Sequence, residues 1–158
     1  MADEIHFLLP ADCSTWNIMT PEAFAAAFDV PRGTMCSLAR YEELLVDWQQ
    51  RMNLVGPATL ENVWGRHFVD SAQLVRHVPA GKSWLDIGAG GGFPGLVLAA
   101  MGWGHFVLVD SVAKKCRFLE TVREALSLEN VTILNTRVEQ LPALGVDVAT
   151  ARAAAPLD

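Results

Sequence analysis

Apolar residues follow two different rhythms along this 158-residue chain. In the first half they recur at every third or fourth position, which is the spacing of an amphipathic helix. The clearest case spans residues 35–52, where Leu38, Tyr41, Leu45 and Trp48 form one stripe. In the second half, short apolar runs alternate with helical patterns, which indicates βαβ units around a parallel sheet.

Turn and capping residues set the limits of the helices predicted in the first half. Pro21 suits the first turn of a helix over residues 22–29, and a turn beginning at Pro31 is predicted to end it. Thr59 is predicted to cap a later helix. Asp70, with a glutamine three residues on, indicates a weak capping box for a further short helix.

The second half is predicted to contain four strands and two helices. The run over residues 105–109 is almost continuously apolar, as in a strand buried on both faces. We therefore expect a helical N-terminal extension over residues 1–78 and an α/β core over residues 79–158. The predicted strands cover residues 83–87, 105–109, 131–134 and 146–150, and the predicted helices cover residues 94–101 and 112–126.

Composition and charge narrow the class of protein. The chain is 51% apolar and carries a formal net charge of -6, so we expect a buried core and no general coat of positive charge. The negative net charge does not exclude a nucleic-acid-binding protein, because such binding depends on where lysine and arginine lie on the surface. Three separated cysteines without a C-x-x-C pair indicate a reducing compartment and no metal. Because the N-terminus is acidic and no apolar run approaches roughly 20 residues, we expect a soluble cytoplasmic protein with no membrane partner.

The sequence DIGAGGG follows the first predicted strand and can be read in two registers. A G-x-G-x-x-G pattern through Gly90, Gly92 and Gly95 indicates a dinucleotide. A D-x-G-x-G-x-G pattern that begins at Asp86 and includes Gly88 is typical of S-adenosylmethionine-dependent methyltransferases. In both registers the glycines allow a ligand to approach the main chain closely.

The second register is favoured on electrostatic grounds. The carboxylate of Asp86 would repel a pyrophosphate, whereas it suits the cationic methionine part of S-adenosylmethionine. Asp110 ends the second predicted strand, 24 residues after Asp86, where an acidic side chain can accept both ribose hydroxyls of either cofactor. The alternative is that Asp110 only caps the following helix.

Beyond the glycine loop, several segments resemble the bacterial 16S ribosomal RNA (guanine-N7) methyltransferases of the small subunit, long called glucose-inhibited division protein B. The resemblance runs from about Tyr41 to the end of the chain, and its R-H-F-x-D-S and G-F-P-G stretches are specific to that family. The matching stretches are residues 52–55, 66–71, 92–95, 110–119, 129–131, 137–139 and 151–153.

The resemblance implies a Rossmann-like S-adenosylmethionine-dependent methyltransferase sheet with a helical N-terminal extension. It also implies methyl transfer to N7 of a guanine, with 16S ribosomal RNA or the 30S subunit as partner, and we expect a monomer. Chains of this family continue well past Asp158 with the remaining C-terminal strands, so we expect the strand over residues 146–150 to be a sheet edge here. The alternatives are a non-catalytic cofactor- or ribosome-binding fragment, a methyltransferase for another substrate, and a nucleotide-dependent oxidoreductase.

The resemblance also implies roles for individual residues. Asp110 matches the ribose-binding acid, Val138 and Glu139 match the segment beside the adenine, and Arg152 matches an arginine at the edge of the active site. A polar cluster near the substrate cleft is matched by Arg66, His67, Asp70 and Ser71. The cofactor-binding candidates are Asp86, Gly88, Gly90, Gly92, Phe93, Asp110, Ser111, Val138, Glu139 and Arg152.

The implied chemistry requires no catalytic acid or base. N7 of guanine already carries a lone pair, so the protein is expected to contribute alignment and a water-poor site. The candidates for orienting the substrate are therefore Arg152, His67 and Arg66. The alternative for Arg152 is an ion pair at the sheet edge, and the alternative for His67 is a structural role. Candidates for binding RNA phosphates are Lys114, Lys115 and Arg117, with a solvated helix face as the alternative.

Overall fold

Four parallel strands form a single sheet in the computed structural model, which describes residues 19–152. The strands are β1 (Lys82–Ile87), β2 (Gly104–Asp110), β3 (Val131–Asn135) and β4 (Val148–Thr150). Their order across the sheet is β3-β2-β1-β4, and every neighbouring pair is parallel. The predicted α/β class and parallel sheet are thus confirmed, and β4 lies at an edge among the described strands.

The register of the sheet brings three strand ends together. Ile87 at the end of β1 is paired with Val109 of β2, and Asp86 is paired with Thr150 of β4. The loops that leave these strands therefore begin side by side at the carboxyl edge of the sheet. This edge is where open α/β folds bind their ligands.

Five α-helices accompany the sheet within residues 19–152. They are α1 (Pro21–Phe28), α2 (Arg32–Gln49), α3 (Val69–Ala72), α4 (Gly95–Ala100) and α5 (Ala113–Ala125). Helix α2 contacts both α4 and α5, and one hydrophobic core includes residues from both halves of the chain. The division of the chain near residue 79 stays a prediction. None of the described helices is long and apolar enough to cross a membrane.

The stripe predicted on the long helix faces this core. Leu38, Tyr41 and Leu45 are completely buried, and Trp48 is half-buried. The helix is displaced toward the N-terminus from its predicted span, because α2 begins immediately after Pro31. The turn predicted at Pro31 is therefore wrong: this proline stands at the start of a helix, where its missing N–H costs no hydrogen bond.

Two predicted caps in the first half are also wrong. Thr59 lies inside a 3-10 helix, Pro57–Asn62, and its hydroxyl donates to the carbonyl oxygen of Gly56 at 2.6 Å. Asp70 lies inside α3 and makes no side-chain cap. The reason is that a π-helical turn, Trp64–Phe68, leads directly into α3, so Asp70 does not stand at the exposed first turn that a capping box requires.

Candidate functional site

A cavity of about 900 Å³ opens at the carboxyl edge of the sheet. Its wall includes the loop after β1, the end of β2 with the start of α5, and the turn after β3. Residues 54–56 from the first half of the chain and residues 151–152 after β4 complete it. The site is therefore assembled from both halves of the chain.

Two glycines of the loop after β1 have positive φ angles for different reasons. Gly88, at φ 66°, lines the cavity, and a side-chain carbon placed there would meet no atom within 4 Å. A ligand can therefore approach its main chain. Gly92, at φ 92°, faces the interior, where a side-chain carbon would collide with the Tyr41 hydroxyl and the Leu96 side chain. Its role is to let the loop close on the core.

Asp110 is buried at the end of β2 and holds the loop from the other side. Its Oδ2 accepts a hydrogen bond from the Gly90 N–H at 3.0 Å, and its Oδ1 accepts one from the Val112 N–H at 2.9 Å. Each carboxylate oxygen retains a further lone pair, and Asp110 lines the cavity. The residue can thus organise the two loops and also accept the two hydroxyls of a ribose.

Asp86, which was predicted to contact the cofactor, lies beneath the cavity wall. Asp86 is 1% exposed and does not line the cavity. Its Oδ2 accepts the Gly95 N–H at 3.0 Å, and it shares its side of β1 with the buried Trp84. The alternation of side chains along a strand turns Asp86 inward. Asp86 therefore supports the start of α4 beneath the loop.

Burial has a marked effect on this carboxyl group. It raises the pKa of Asp86 from 3.8 to about 7, although the Gly95 N–H and Arg152 act in the opposite direction. Because the pKa of Asp86 is higher in the folded than in the unfolded chain, protonated Asp86 favours folding. Its contribution to the free energy of unfolding is complete below pH 4 and is lost as the pH rises through 7. An Asp86→Asn variant lacks this titration and can still accept the Gly95 N–H.

We expect the advantage of Asp86→Asn over the wild type in free energy of unfolding to grow between pH 5 and pH 8, by roughly 2–4 kcal/mol. Urea unfolding at the two pH values measures it. Asp147→Asn is the control, because Ser83 lowers the pKa of the exposed Asp147 carboxyl. The same pH dependence in both variants would contradict the assignment.

The first half of the chain supports the loop through contacts that the sequence did not reveal. The Tyr41 hydroxyl donates to the carbonyl oxygen of Gly91, and the Tyr41 ring stacks on Phe93 with 5.4 Å between centroids. The Gln49 side chain accepts the N–H groups of Leu54 and Val55 at 2.9 and 3.1 Å. Helix α2 thereby fixes both the glycine loop and a second wall of the cavity.

Arg152 lies at the cavity rim, its side chain is 31% exposed, and three of its five N–H groups are paired. Its Nη2 donates to the carbonyl oxygen of Arg66 at 2.9 Å and to Nδ1 of His67 at 3.1 Å. Its Nε lies 3.1 Å from the Asp70 carboxylate. Within residues 19–152, Nη1 has no hydrogen-bond partner, so its N–H groups are available to a ligand.

The structure separates the predicted site residues into two groups. Ten line the cavity: His67, Gly88, Gly90, Phe93, Asp110, Ser111, Lys115, Val138, Glu139 and Arg152. Seven do not: Arg66, Asp70, Ser71, Asp86, Gly92, Lys114 and Arg117. Lys114 and Arg117 are exposed on α5, whereas Lys115 reaches the cavity from the same helix.

Comparison of the sequence with known proteins gives consistent matches. The family model of GidB, described as rRNA small subunit methyltransferase G, matches residues 34–158. Ribosomal RNA small subunit methyltransferase G of Paramagnetospirillum magneticum is 48% identical over 141 residues, which are 89% of this chain and 68% of the relative. The Rhodospirillum rubrum protein of the same name is 49% identical over 142 residues, which are 88% of this chain and 69% of the relative. The chain thus spans about two thirds of the length of these relatives.

Solved structures share the fold at low sequence identity. The S-adenosylmethionine complex of a variant of MtNAS superposes with a TM-score of 0.53 at 16% identity, covering 87% of this chain and 60% of that one. A protein-L-isoaspartate O-methyltransferase gives a TM-score of 0.52 at 18% identity, covering 84% and 47%. The chain covers less than two thirds of either structure, and the likeness concerns the fold alone.

Proposed function

The chain belongs to the GidB family, described as rRNA small subunit methyltransferase G, and on that premise we propose that it transfers a methyl group from S-adenosylmethionine to N7 of a guanine in 16S ribosomal RNA. The observation that carries the proposal is the Asp110 carboxylate, held at the cavity by Gly90 and Val112. We further propose that the chain acts as a monomer in the cytoplasm on RNA of the small subunit.

The cavity residues fit this cofactor. A volume of about 900 Å³ lies within the range of small-molecule sites. Asp110 offers two carboxylate oxygens for the ribose hydroxyls, and the space beside Gly88 allows contact with its main chain. Val138 and Glu139 lie on the cavity wall and are proposed to face the adenine. When bound, S-adenosylmethionine supplies a methyl group activated by a sulfonium.

The chemistry requires of the protein only alignment and exclusion of water. The in-plane lone pair of N7 forms the new N–C bond while the C–S bond breaks. The electron pair of the C–S bond remains on sulfur. No proton leaves N7, so no side chain has to act as a base. The rings of His67 and Phe93 are stacked, buried and part of the cavity wall, and we propose that they limit the access of water to the reacting atoms.

Arg152 is proposed to orient the RNA through Nη1, which has no partner among residues 19–152. A donor at N7 itself would block the attack, so O6 of the guanine or a neighbouring phosphate is the acceptor we propose. Lys115, which lines the same cavity, is proposed to contact an RNA phosphate, with Lys114 and Arg117 on the outer face of α5 extending this contact.

Replacement of Arg152 by alanine tests this role. We expect kcat/KM for RNA to fall by about tenfold to a hundredfold, because a charge-assisted hydrogen bond is lost. The control is Arg40→Ala, which removes an exposed arginine paired with Glu43 and should leave kcat/KM unchanged. An Arg152→Ala protein that binds the cofactor and methylates RNA at the wild-type rate would contradict the assignment.

The proposed function itself is tested by incubating the chain with labelled S-adenosylmethionine and 16S RNA that lacks the modification. Naked RNA and 30S subunits are assayed separately, and the modified base is mapped. We expect label at N7 of a single guanine. Cofactor binding without transfer to either substrate would reject the enzymatic proposal, and label on another base would reject the N7 assignment.

A further inference from the structure

A chain of hydrogen bonds connects Arg152 to the first half of the sequence. Nη2 of Arg152 lies 3.1 Å from Nδ1 of His67, and Nε2 of the same ring lies 2.7 Å from the Thr59 hydroxyl. The Thr59 hydroxyl in turn donates to the carbonyl oxygen of Gly56 at 2.6 Å. Gly56 and Arg152 both line the cavity, so the chain of bonds joins two parts of its wall.

The two ends of this chain determine the direction of each bond. A guanidinium can only donate, so Nδ1 of His67 must accept and cannot carry a proton. A carbonyl oxygen can only accept, so the Thr59 hydroxyl uses its proton on Gly56 and must accept from His67. The neutral ring therefore has to carry its proton on Nε2.

We infer that His67 and Thr59 are positioning residues, which hold the guanidinium of Arg152 at the cavity rim through a single neutral tautomer of His67. For Thr59 this role is distinct from contact with the substrate, because Thr59 does not line the cavity, whereas His67 does. The consequence for methyl transfer rests on the proposed function, in which Nη1 of Arg152 contacts RNA.

The surroundings of His67 favour the neutral ring. The ring stacks on Phe93 with 4.7 Å between centroids, and the residue is 6% exposed. Burial, followed by the charges of Arg152 and Arg66, lowers the pKa of His67 to about 4. The Asp70 carboxylate, which would favour a charged imidazole, is paired with Arg152. His67 can thus accept a hydrogen bond throughout the neutral pH range.

The tautomer can be read directly by NMR in the complete chain labelled with ¹⁵N-histidine, at neutral pH and without cofactor or RNA. Long-range ¹H–¹⁵N correlations distinguish the protonated from the unprotonated ring nitrogen. We expect a single His67 species protonated at Nε2, with His67→Gln identifying its signals. A ring protonated at Nδ1, or doubly protonated, would overturn the inference whether or not the chain methylates RNA.

A second experiment compares the activities of Thr59→Val and Thr59→Ser. Valine has a similar shape but cannot accept the Nε2 proton, whereas serine can. We expect kcat/KM for RNA to fall about fivefold in the valine variant and to be restored by serine. Thr121→Val is the matched control, since it removes a hydroxyl that donates to a backbone carbonyl on α5. Equal activity of the valine and serine variants would overturn the positioning role.

Discussion

Replacing Asp110 by alanine is expected to lower the affinity for S-adenosylmethionine by about 100-fold or more. The variant loses two charge-assisted hydrogen bonds to the ribose hydroxyls, each of which contributes roughly 1.5–3 kcal/mol. The variant also leaves the Gly90 and Val112 N–H groups without their acceptor, so the loop becomes less well ordered before binding. Isothermal titration calorimetry on the folded variant measures the loss.

Asp147→Ala provides a matched control for this experiment. Asp147 also accepts a backbone N–H, from Ser83 at 2.9 Å, together with the Ser83 hydroxyl at 3.0 Å. Ser83 lies near the start of β1, so this carboxylate stands at the opposite edge of the sheet from the cavity. We expect wild-type affinity in Asp147→Ala. A comparable loss in both variants would mean that the effect of Asp110 is general destabilisation, which would remove the main support for a ribose contact.

Replacing Gly92 by alanine is expected to destabilise the fold by about 2–6 kcal/mol, from backbone strain and overpacking together. The backbone at φ 92° disfavours any residue with a side chain, and the new methyl group would collide with Tyr41 and Leu96. Since whole domains are stable by only about 5–15 kcal/mol, the loss is a large share of the total stability, and the displaced loop should bind the cofactor more weakly. Urea unfolding measures the first effect and calorimetry the second.

Gly81→Ala separates the two contributions. Gly81 has a similar φ of 84°, but a methyl group there would meet no atom within 4 Å. Its substitution should therefore cost only the backbone strain, which is about 1–3 kcal/mol. The difference between the variants reports the collision with the core. If Gly92→Ala is no less stable than Gly81→Ala, the close packing of Tyr41 and Leu96 against the loop is not the constraint we describe.

The sequence alone was sufficient to place the glycine loop and Asp110 together at one ligand-sized cavity. Gly88 and Asp110 could be predicted from local rules. A tight turn after a strand needs glycine, and the next parallel strand ends beside that turn. The same local periodicity predicted the buried stripe of α2 and the four strands. The predicted limits of helices were less accurate in the first half, because 3-10 and π-helical turns there follow each other without the gaps at which caps occur.

Tertiary structure alone decided how distant side chains meet. Tyr41 reaches Gly91 across 50 positions and Arg152 reaches His67 across 85, and no local spacing encodes such pairs. The inward turn of Asp86 was likewise decided by which face of β1 the core covers. Local sequence specifies backbone conformation through short-range sterics and periodicity. The partner of a polar side chain depends instead on how the whole chain packs. The pairing of Thr59 with His67 is therefore set by the tertiary structure, although the local sequence predicted a helix cap.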